Sequence, residues 1–411
     1  MILSILFFSF CYLYSTELKI ASYNVENLFD IHYDGTEYDR YIPYRDNNWT
    51  KKTLDIKLKN ISEVICEIDA DIIGLQEIEN LNALKALQKS LKYYGCRYKY
   101  SAITHKKGSA IQVALLSKIP IKSSKDIVVK AWGSRNILES KFIIDKKALY
   151  IFVNHWNSKR SSESKRIKSA IALKKRLISL SKGTQYIILG DFNSNYNEYK
   201  RVKKTGINTV LNSMLLGEDS MRESKFIHYN LWLELLPYRR WSYDFYGNKQ
   251  GLDAIILPYS LFDGRGIDYI NDSFQVFKRA YMFTKEGFVN RWKYKKGKHY
   301  GVGYSDHLPI FALFSTKPYI FKKRKSSNKE CKIGELYREN NSLPCLLKNV
   351  KIVSKKGRGA TIADLKDKIF IYGLDKSIKI GNYYNIKVFK TKIYKGVFEI
   401  IDFSVILLDN G

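Results

Sequence analysis

Short apolar runs that stop abruptly at a polar side chain recur along this sequence, and they limit it to a layered fold of sheets and helices. Residues 18–25, Leu-Lys-Ile-Ala-Ser-Tyr-Asn-Val, alternate as an early buried strand with Asn24 near its end. Residues 71–76, Asp-Ile-Ile-Gly-Leu-Gln, form a second and put Glu77 at its tip. Further strands are expected at 98–103, 111–117, 141–144, 149–153, 186–189, 252–257 and 310–314. The run at 149–153 delivers Asn154, His155 and Trp156, and the run at 186–189 stops at Gly190-Asp191-Phe192-Asn193. Asp253 lies at the start of one strand, and Asp306-His307 precede the last. Between the strands, Leu54, Leu58, Ile61, Ile65 and Ile68 recur at helical spacing after Thr50. Leu81, Leu84, Leu87 and Leu91 mark a second helix, and a third is expected over 163–180. When an apolar sheet is packed between layers, its polar groups collect on one rim. Asn24, Glu77, His155, Asp191, Asn193 and His307 are therefore expected to meet.

The segment 304–309, Tyr-Ser-Asp-His-Leu-Pro, sets a carboxylate beside an imidazole. Neighbours on an extended segment point to opposite faces, so Asp306 is expected to serve a cation or phosphate and His307 a water. Phosphodiester hydrolysis needs a cation, a base for water, a donor for the leaving oxygen and groups that hold the water in line. Carboxylates and amides at strand ends are hard oxygen ligands of the kind Mg²⁺ prefers, with Mn²⁺ or Ca²⁺ as alternates. No cysteine pair has zinc-site spacing, and histidine clusters are missing from the sequence, which disfavours zinc.

In order along the chain stand Asn24 in Ser-Tyr-Asn-Val-Glu-Asn-Leu-Phe, Glu77 in Gly-Leu-Gln-Glu-Ile-Glu and His155 in Val-Asn-His-Trp. Gly190-Asp191-Phe192-Asn193, Leu252-Asp253 and Ser305-Asp306-His307-Leu308-Pro309 follow. This series, over about 18–315, resembles the endonuclease/exonuclease/phosphatase superfamily, the DNase I-like enzymes. The resemblance implies a DNase I-like four-layered α/β sandwich, two packed β-sheets flanked by helices. It implies Glu77 as the main Mg²⁺ ligand, with Asn24 and Asp306 completing the metal and phosphate site. Asp253 would orient His307 as base or phosphate contact, and Asp191 and Asn193 would position water and phosphate. His155 is similar to the second histidine of the DNase I and sphingomyelinase branches, where it serves as general acid.

At 411 residues the chain suits one large and one small domain. Residues 1–14 are apolar and too short for the roughly 20 residues of a membrane span, with Ser15 and Thr16 placed for cleavage. They read as a secretory signal over 1–16, although the positive leading region is missing, which leaves a misplaced start or a buried first strand as rivals. The expected address is secreted or periplasmic, in a bacterial host, with no stable membrane partner once the signal is gone. The catalytic domain is expected over 17–320, a linker over 321–347 around Lys322-Lys323-Arg324-Lys325, and a module over 348–411. In that module about five short strands suit a small β-barrel like the OB-fold. Residues 393–400 are similar to a strand pair of nucleic-acid-binding OB modules, with a wall-binding or purely structural appendage as the other reading. Cys66 lies in a helical apolar pattern and reads as plain core, whereas Cys331 and Cys345 are a candidate disulfide if the protein is exported.

Seventy Lys and Arg against 40 Asp and Glu give a net charge of +30, which favours polyanionic partners. The run 288–303 interleaves Arg291, Lys293, Lys295 and Lys296 with Trp292 and Tyr294, a pattern able to track a backbone and stack bases. The substrate expected is DNA, with RNA as a second polymer, cut with little sequence preference and without a nucleotide cofactor. The competing readings are a phospholipid phosphodiesterase of the sphingomyelinase kind and a non-catalytic nucleic-acid-binding protein.

Overall fold

A computed structural model describes residues 17–213, 226–235, 239–245, 247–317, 330–337, 343–357, 359–374, 378–394 and 397–406. The expected signal segment lies outside the described residues. The chain divides into two compact units, residues 1–235 with 240–320 and residues 236–239 with 321–411.

The larger unit opens with β1 (Glu17–Leu28), α1 (Lys51–Ile68), β2 (Ile72–Ile78), α2 (Leu81–Tyr93), β3 (Tyr100–Ile103) and β4 (Gln112–Ser117). There follow β5 (Ile121–Ile127), β6 (Ile137–Ile144), β7 (Lys147–His155), α3 (Glu163–Ile178), β8 (Gln185–Asp191) and β9 (His228–Asn230). The hairpin β10 (Tyr243–Phe245) and β11 (Asn248–Gln250) leads to β12 (Asp253–Pro258). Short strands β13 (Asp268–Tyr269), β14 (Gln275–Val276), β15 (Tyr294–Lys295) and β16 (Lys298–His299) precede β17 (Ile310–Ser315). One sheet has the order β13-β17-β1-β2-β4-β3 and the other β5-β6-β7-β8-β12-β9.

Alternation along β1 splits its side chains between two cores. Leu18 and Ile20 join Leu115, Val153, Leu189 and Ile255 between the sheets. Ala21, Tyr23 and Val25 face the helices, packing with Ile61 and Ile65 of α1 and Leu84 and Leu87 of α2. Helix α3 buries Ala170, Leu173 and Leu177 in the same cluster as the second sheet. Each fully buried Leu or Ile contributes about 1.5–3 kcal/mol, so these two cores dominate the stability of the unit. Local signals set the helix starts: the Thr50 hydroxyl accepts the Thr53 N–H ahead of α1, and the Asn80 amide oxygen accepts the Ala83 N–H ahead of α2. A Cβ on Gly74 would lie 2.4 Å from Leu189 Cδ1, so glycine lets β2 approach the facing sheet just ahead of Glu77.

Two sequence expectations need correction. Cys66 is not plain core but is bridged to Cys96, tying α1 to the segment after α2. Strand β5 was not expected, because Ile-Lys-Ser-Ser-Lys-Asp-Ile is an edge strand, half exposed, with no apolar run to reveal it.

The smaller unit contains β18 (Glu330–Cys331), a helical turn (Ile333–Leu336), β19 (Cys345–Lys356), β20 (Gly359–Ala363), β21 (Lys368–Tyr372), β22 (Tyr383–Tyr394) and β23 (Val397–Ile406). The order β19-β20-β21-β23-β22 closes on itself through pairing of β19 with β22, a five-stranded barrel of OB-fold-like form. Val350, Ile352, Ile362, Ile371, Ile386 and Ile400 fill it. Within the stretch 321–347 expected to be linker, β18 pairs with β19 and Cys331 is bridged to Cys345, so its end belongs to the barrel.

His228 on β9 gives a pH test of this packing. Its Nδ1 faces the Leu211 carbonyl, which can only accept, so Nδ1 carries the proton and Nε2 takes the Tyr186 hydroxyl at 2.8 Å. Burial pushes its pKa down to about 4, offset in part by the carbonyl. Because the unfolded value is about 6.5, its contribution to stability is complete above about pH 6.5 and is lost as pH falls through 4. An NMR titration of the His228 ring should show a midpoint near 4, and a midpoint near the unfolded value would contradict this packing.

Candidate active site

Strand register brings the polar rim together. His155 ends β7 opposite Asp191 at the end of β8, and Asp253 at the start of β12 is the antiparallel partner of the same Asp191. Gly190 makes that convergence feasible: its φ is +133°, and a Cβ there would fall 2.0 Å from the Asn154 carbonyl oxygen. On the facing sheet, Asn24 of β1 pairs with Gln76 of β2. The next residue, Glu77, sits at a register shift with φ 67°, so a bulge re-aims its carboxylate.

All of these side chains reach one cleft. Asn24 Nδ2 donates to Glu77 Oε1 and to Asp191 Oδ2, each at 3.1 Å. Asp191 also accepts the Asn193 backbone N–H at 2.8 Å and Asn193 Nδ2 at 3.2 Å. His155 Nε2 lies 3.7 Å from Glu77 Oε1 and 3.6 Å from Asp191 Oδ2. His307 Nδ1 is 2.7 Å from Asp253 Oδ2, which also accepts from the Ser242 hydroxyl at 2.5 Å. On its other side, His307 Nε2 is 3.8 Å from Asp191 Oδ2 and 4.0 Å from Asp306 Oδ1. Asp306 and His307 thus do not serve opposite faces. The Ser305 hydroxyl accepts the His307 N–H and donates to the Asn24 carbonyl, which folds the segment so that both side chains enter the cleft.

Charge in the cleft follows from burial. Burial pushes the Glu77 carboxyl up, with Asp306 adding to the effect and the Asn24 amide opposing it. Asp191 is pushed up to about 7 by burial, then by Asp253 and Glu77, against the pull of His307 and the Asn193 N–H. Burial alone would lower His307, but Asp253 and Asp191 outweigh it and hold the ring well above its ordinary value. His155 goes the other way, because burial, Arg135 and His307 all keep it neutral.

Upward shifts of this kind mean that the protein alone does not balance negative charge on these buried carboxyls. Asp191, Asp253 and His307 each offer a ligand atom, all within 4.8 Å of one another, and Asp253 Oδ1 is buried with no hydrogen-bond donor. The carboxylate oxygens of this acidic and histidine group fit a divalent metal, which His307, held in its charged form by Asp253, would face rather than ligate. The expectation for Asn24 needs correction: its oxygen accepts the Glu26 N–H at 3.0 Å, and its nitrogen faces the carboxylates, so it clamps them as a donor.

Three residues near the cleft escaped the sequence reading. Glu26 is buried and accepts from Arg291, and from the Trp292 backbone N–H at 3.0 Å. Its carboxyl is pushed up to about 7 by burial and then by Asp306. Lys57, buried on α1, donates to the Tyr304 carbonyl at 2.9 Å and is pushed down to about 8 by burial, with Glu26 and Asp306 opposing. Arg135 donates to the Trp156 carbonyl and interacts with Glu77 and Asp191. Only Glu26 had a local signal, its place two residues after Asn24 in the first motif.

The basic aromatic loop is divided by the structure. Arg291 reaches Glu26 and, at 3.3 Å, Asp306, so it lies at the cleft. Lys293, Tyr294, Lys295 and Lys296 are exposed. Trp292 does not fit the expected base-stacking role: it is 2% exposed and donates its indole N–H to His299 at 2.9 Å. Trp292 precedes the β15–β16 hairpin and turns inward, whereas Tyr294, Lys295 and Lys298 of the hairpin face out.

A model of the endonuclease/exonuclease/phosphatase family matches residues 19–316. The chain belongs to this family, and with its candidate metal group it is a catalytic protein of the hydrolase class, a phosphodiesterase. None of the curated proteins matches it. Among solved structures it is similar to a humanized TDP2 of D. rerio, at 17% identity and TM-score 0.48, over 74% of this chain and 100% of that one. It is also similar to C. elegans TDP2, at 16% identity and TM-score 0.46, over 73% and 75%. A family protein of Bacteroides thetaiotaomicron is 14% identical with TM-score 0.46, over 72% and 97%.

Asp253→Asn removes the charge that holds His307 up. The His307 midpoint, followed by NMR, should fall, and hydrolysis should drop by about 10²–10⁴. An unchanged His307 titration would contradict the pairing.

Proposed function

We propose that this chain is an exported, Mg²⁺-dependent nuclease that hydrolyses DNA, and RNA more weakly, with little sequence preference. The observation that carries it is the convergence of Glu77, Asp191, Asp253, His155 and His307 on one cleft in a chain of net charge +30. A divalent ion held by Glu77 and Asp306, or by Asp191, would neutralise phosphate charge there. Asp253 fixes Nδ1 of His307 and leaves Nε2 facing the cleft, where the charged ring contacts the phosphate. Asp191, clamped by three N–H groups, is placed to accept a proton from the attacking water, with Asn193 fixing its orientation. His155 was expected to be a general acid, but a neutral buried ring offers one N–H as a hydrogen-bond donor to a phosphate oxygen and no spare proton.

Nucleic acid is favoured by the surface beside the cleft. Trp132 is 88% exposed, and its loop is held to the residues after His155 by Ser134 on Asn157 at 2.6 Å and by Asn157 on the Gly133 carbonyl at 2.9 Å. Lys165 lies 4.9 Å from its ring centroid. An exposed indole with a cation beside it suits a base stacked against a phosphate chain. The OB-fold-like barrel would add a second hold on the polymer and raise its local concentration. Two disulfides favour an oxidising compartment, in keeping with export.

The test offers plasmid, linear and single-stranded DNA, RNA and sphingomyelin to the protein with Mg²⁺. DNA should be cut, a chelator or Glu77→Ala should stop the cutting, and sphingomyelin should stay intact. Intact DNA with phosphocholine release would overturn the proposal in favour of a lipid substrate. Trp132→Ala should raise KM for single-stranded DNA about tenfold and leave kcat nearly unchanged, since stacking is worth about 1–3 kcal/mol per base. DNA affinity should fall steeply with salt as Lys and Arg contacts release counterions.

A further inference from the structure

The loop that follows β1 gathers carboxylates for which the chain provides no cation. Asp34, Glu37 and Glu79 each present a ligand oxygen, all within 4.8 Å of one another, and Asp30 lies beside them. Among the described residues no Lys, Arg or His forms an ion pair with any of the four, although Lys and Arg outnumber Asp and Glu by 70 to 40 across the chain. Glu79 is the residue that makes the cluster unusual. It is 3% exposed, its Oε2 accepts the Asp30 N–H at 2.6 Å, and its Oε1 is buried with no donor at all. A carboxylate oxygen turned away from solvent with no donor is costly unless a proton or a cation meets it.

The remaining contacts leave the other oxygens poised rather than used up. Glu37 accepts the N–H groups of Asp34 and Gly35 at 2.6 and 2.9 Å, which closes the turn and holds its carboxylate against the cluster. Asp34 Oδ1 takes both the N–H and the hydroxyl of Thr36, leaving Oδ2 for another partner. Asp34 is exposed and Glu37 half-buried, so an ion can enter from solvent and keep part of its water shell.

We propose that a Ca²⁺ ion binds here, held by Asp34, Glu37 and Glu79, as a structural site separate from the hydrolytic cleft. All-oxygen carboxylate ligands on an exposed turn, with open positions for water, match the six to eight oxygens that Ca²⁺ takes more readily than the strict octahedron of Mg²⁺. The ion pins the 30–37 loop to the end of β2, two residues past Glu77, and with it the approach of Tyr38, whose phenol feels the Glu77 charge.

Calorimetric titration of the full chain with Ca²⁺, in saturating Mg²⁺ to fill the hydrolytic cleft, tests the site. The parent protein should bind one equivalent and gain several degrees in Tm. Asp34→Asn with Glu37→Gln, both outside the buried core, should weaken that equivalent about tenfold or more and abolish the Tm gain, while Mg²⁺-dependent hydrolysis persists. Glu79→Gln, which keeps the side-chain shape, should do the same. Unchanged Ca²⁺ stoichiometry and Tm gain in the double variant would overturn the proposal, as would a parent protein that binds no Ca²⁺ under these conditions.

Discussion

Asp191 is the point on which the candidate site turns. It is 2% exposed, the register partner of both His155 and Asp253, and it accepts hydrogen bonds from Asn24 and Asn193 while lying 3.8 Å from His307. A buried carboxylate is costly unless its neighbours satisfy it, so the surrounding side chains are held in place by what they do for this one charge. The two sheets, the bulge that turns Glu77 and the tight Gly190 backbone all exist around that arrangement.

Charge is segregated in a way that composition conceals. The chain is strongly basic, yet its cleft is lined by Glu26, Glu77, Asp191, Asp253 and Asp306, with Arg135, Arg291 and Lys57 set around them. A basic exterior attracts a polyanion over distance, and a carboxylate-rich centre needs a divalent ion before a phosphate can settle there. Under the proposed function the two features would act together, the surface capturing the polymer and the cleft admitting the ester with its cation.

Much of this was legible in the sequence because the central strands are buried on both faces and read as unbroken apolar runs, as at 186–189 and 254–257. The candidate residues of the cleft were legible because each stands at an end of such a run. What stayed hidden has physical reasons. Strand β5 is a polar edge strand. The partner of Cys66 lies 30 residues away in the segment after α2, and one-dimensional spacing does not reveal that approach. Trp292 looked like a stacking residue because alternation shows which residues differ in facing, without showing which of them faces in. Arg135 and Lys57 act through the fold alone, and nothing beside them in the chain marks them. Asn24 lies in the cleft with its amide nitrogen toward the carboxylates, an orientation set by one hydrogen bond from the Glu26 N–H that no motif encodes.

A crystal soaked in Mn²⁺ and measured at the metal's absorption edge tests the central claim most directly. The account predicts an anomalous peak in the cleft within bonding distance of a carboxylate oxygen of Glu77 and of Asp306 or Asp191. A protein whose cleft stays empty at saturating Mn²⁺, or one in which these carboxylates point to separate regions, would contradict it.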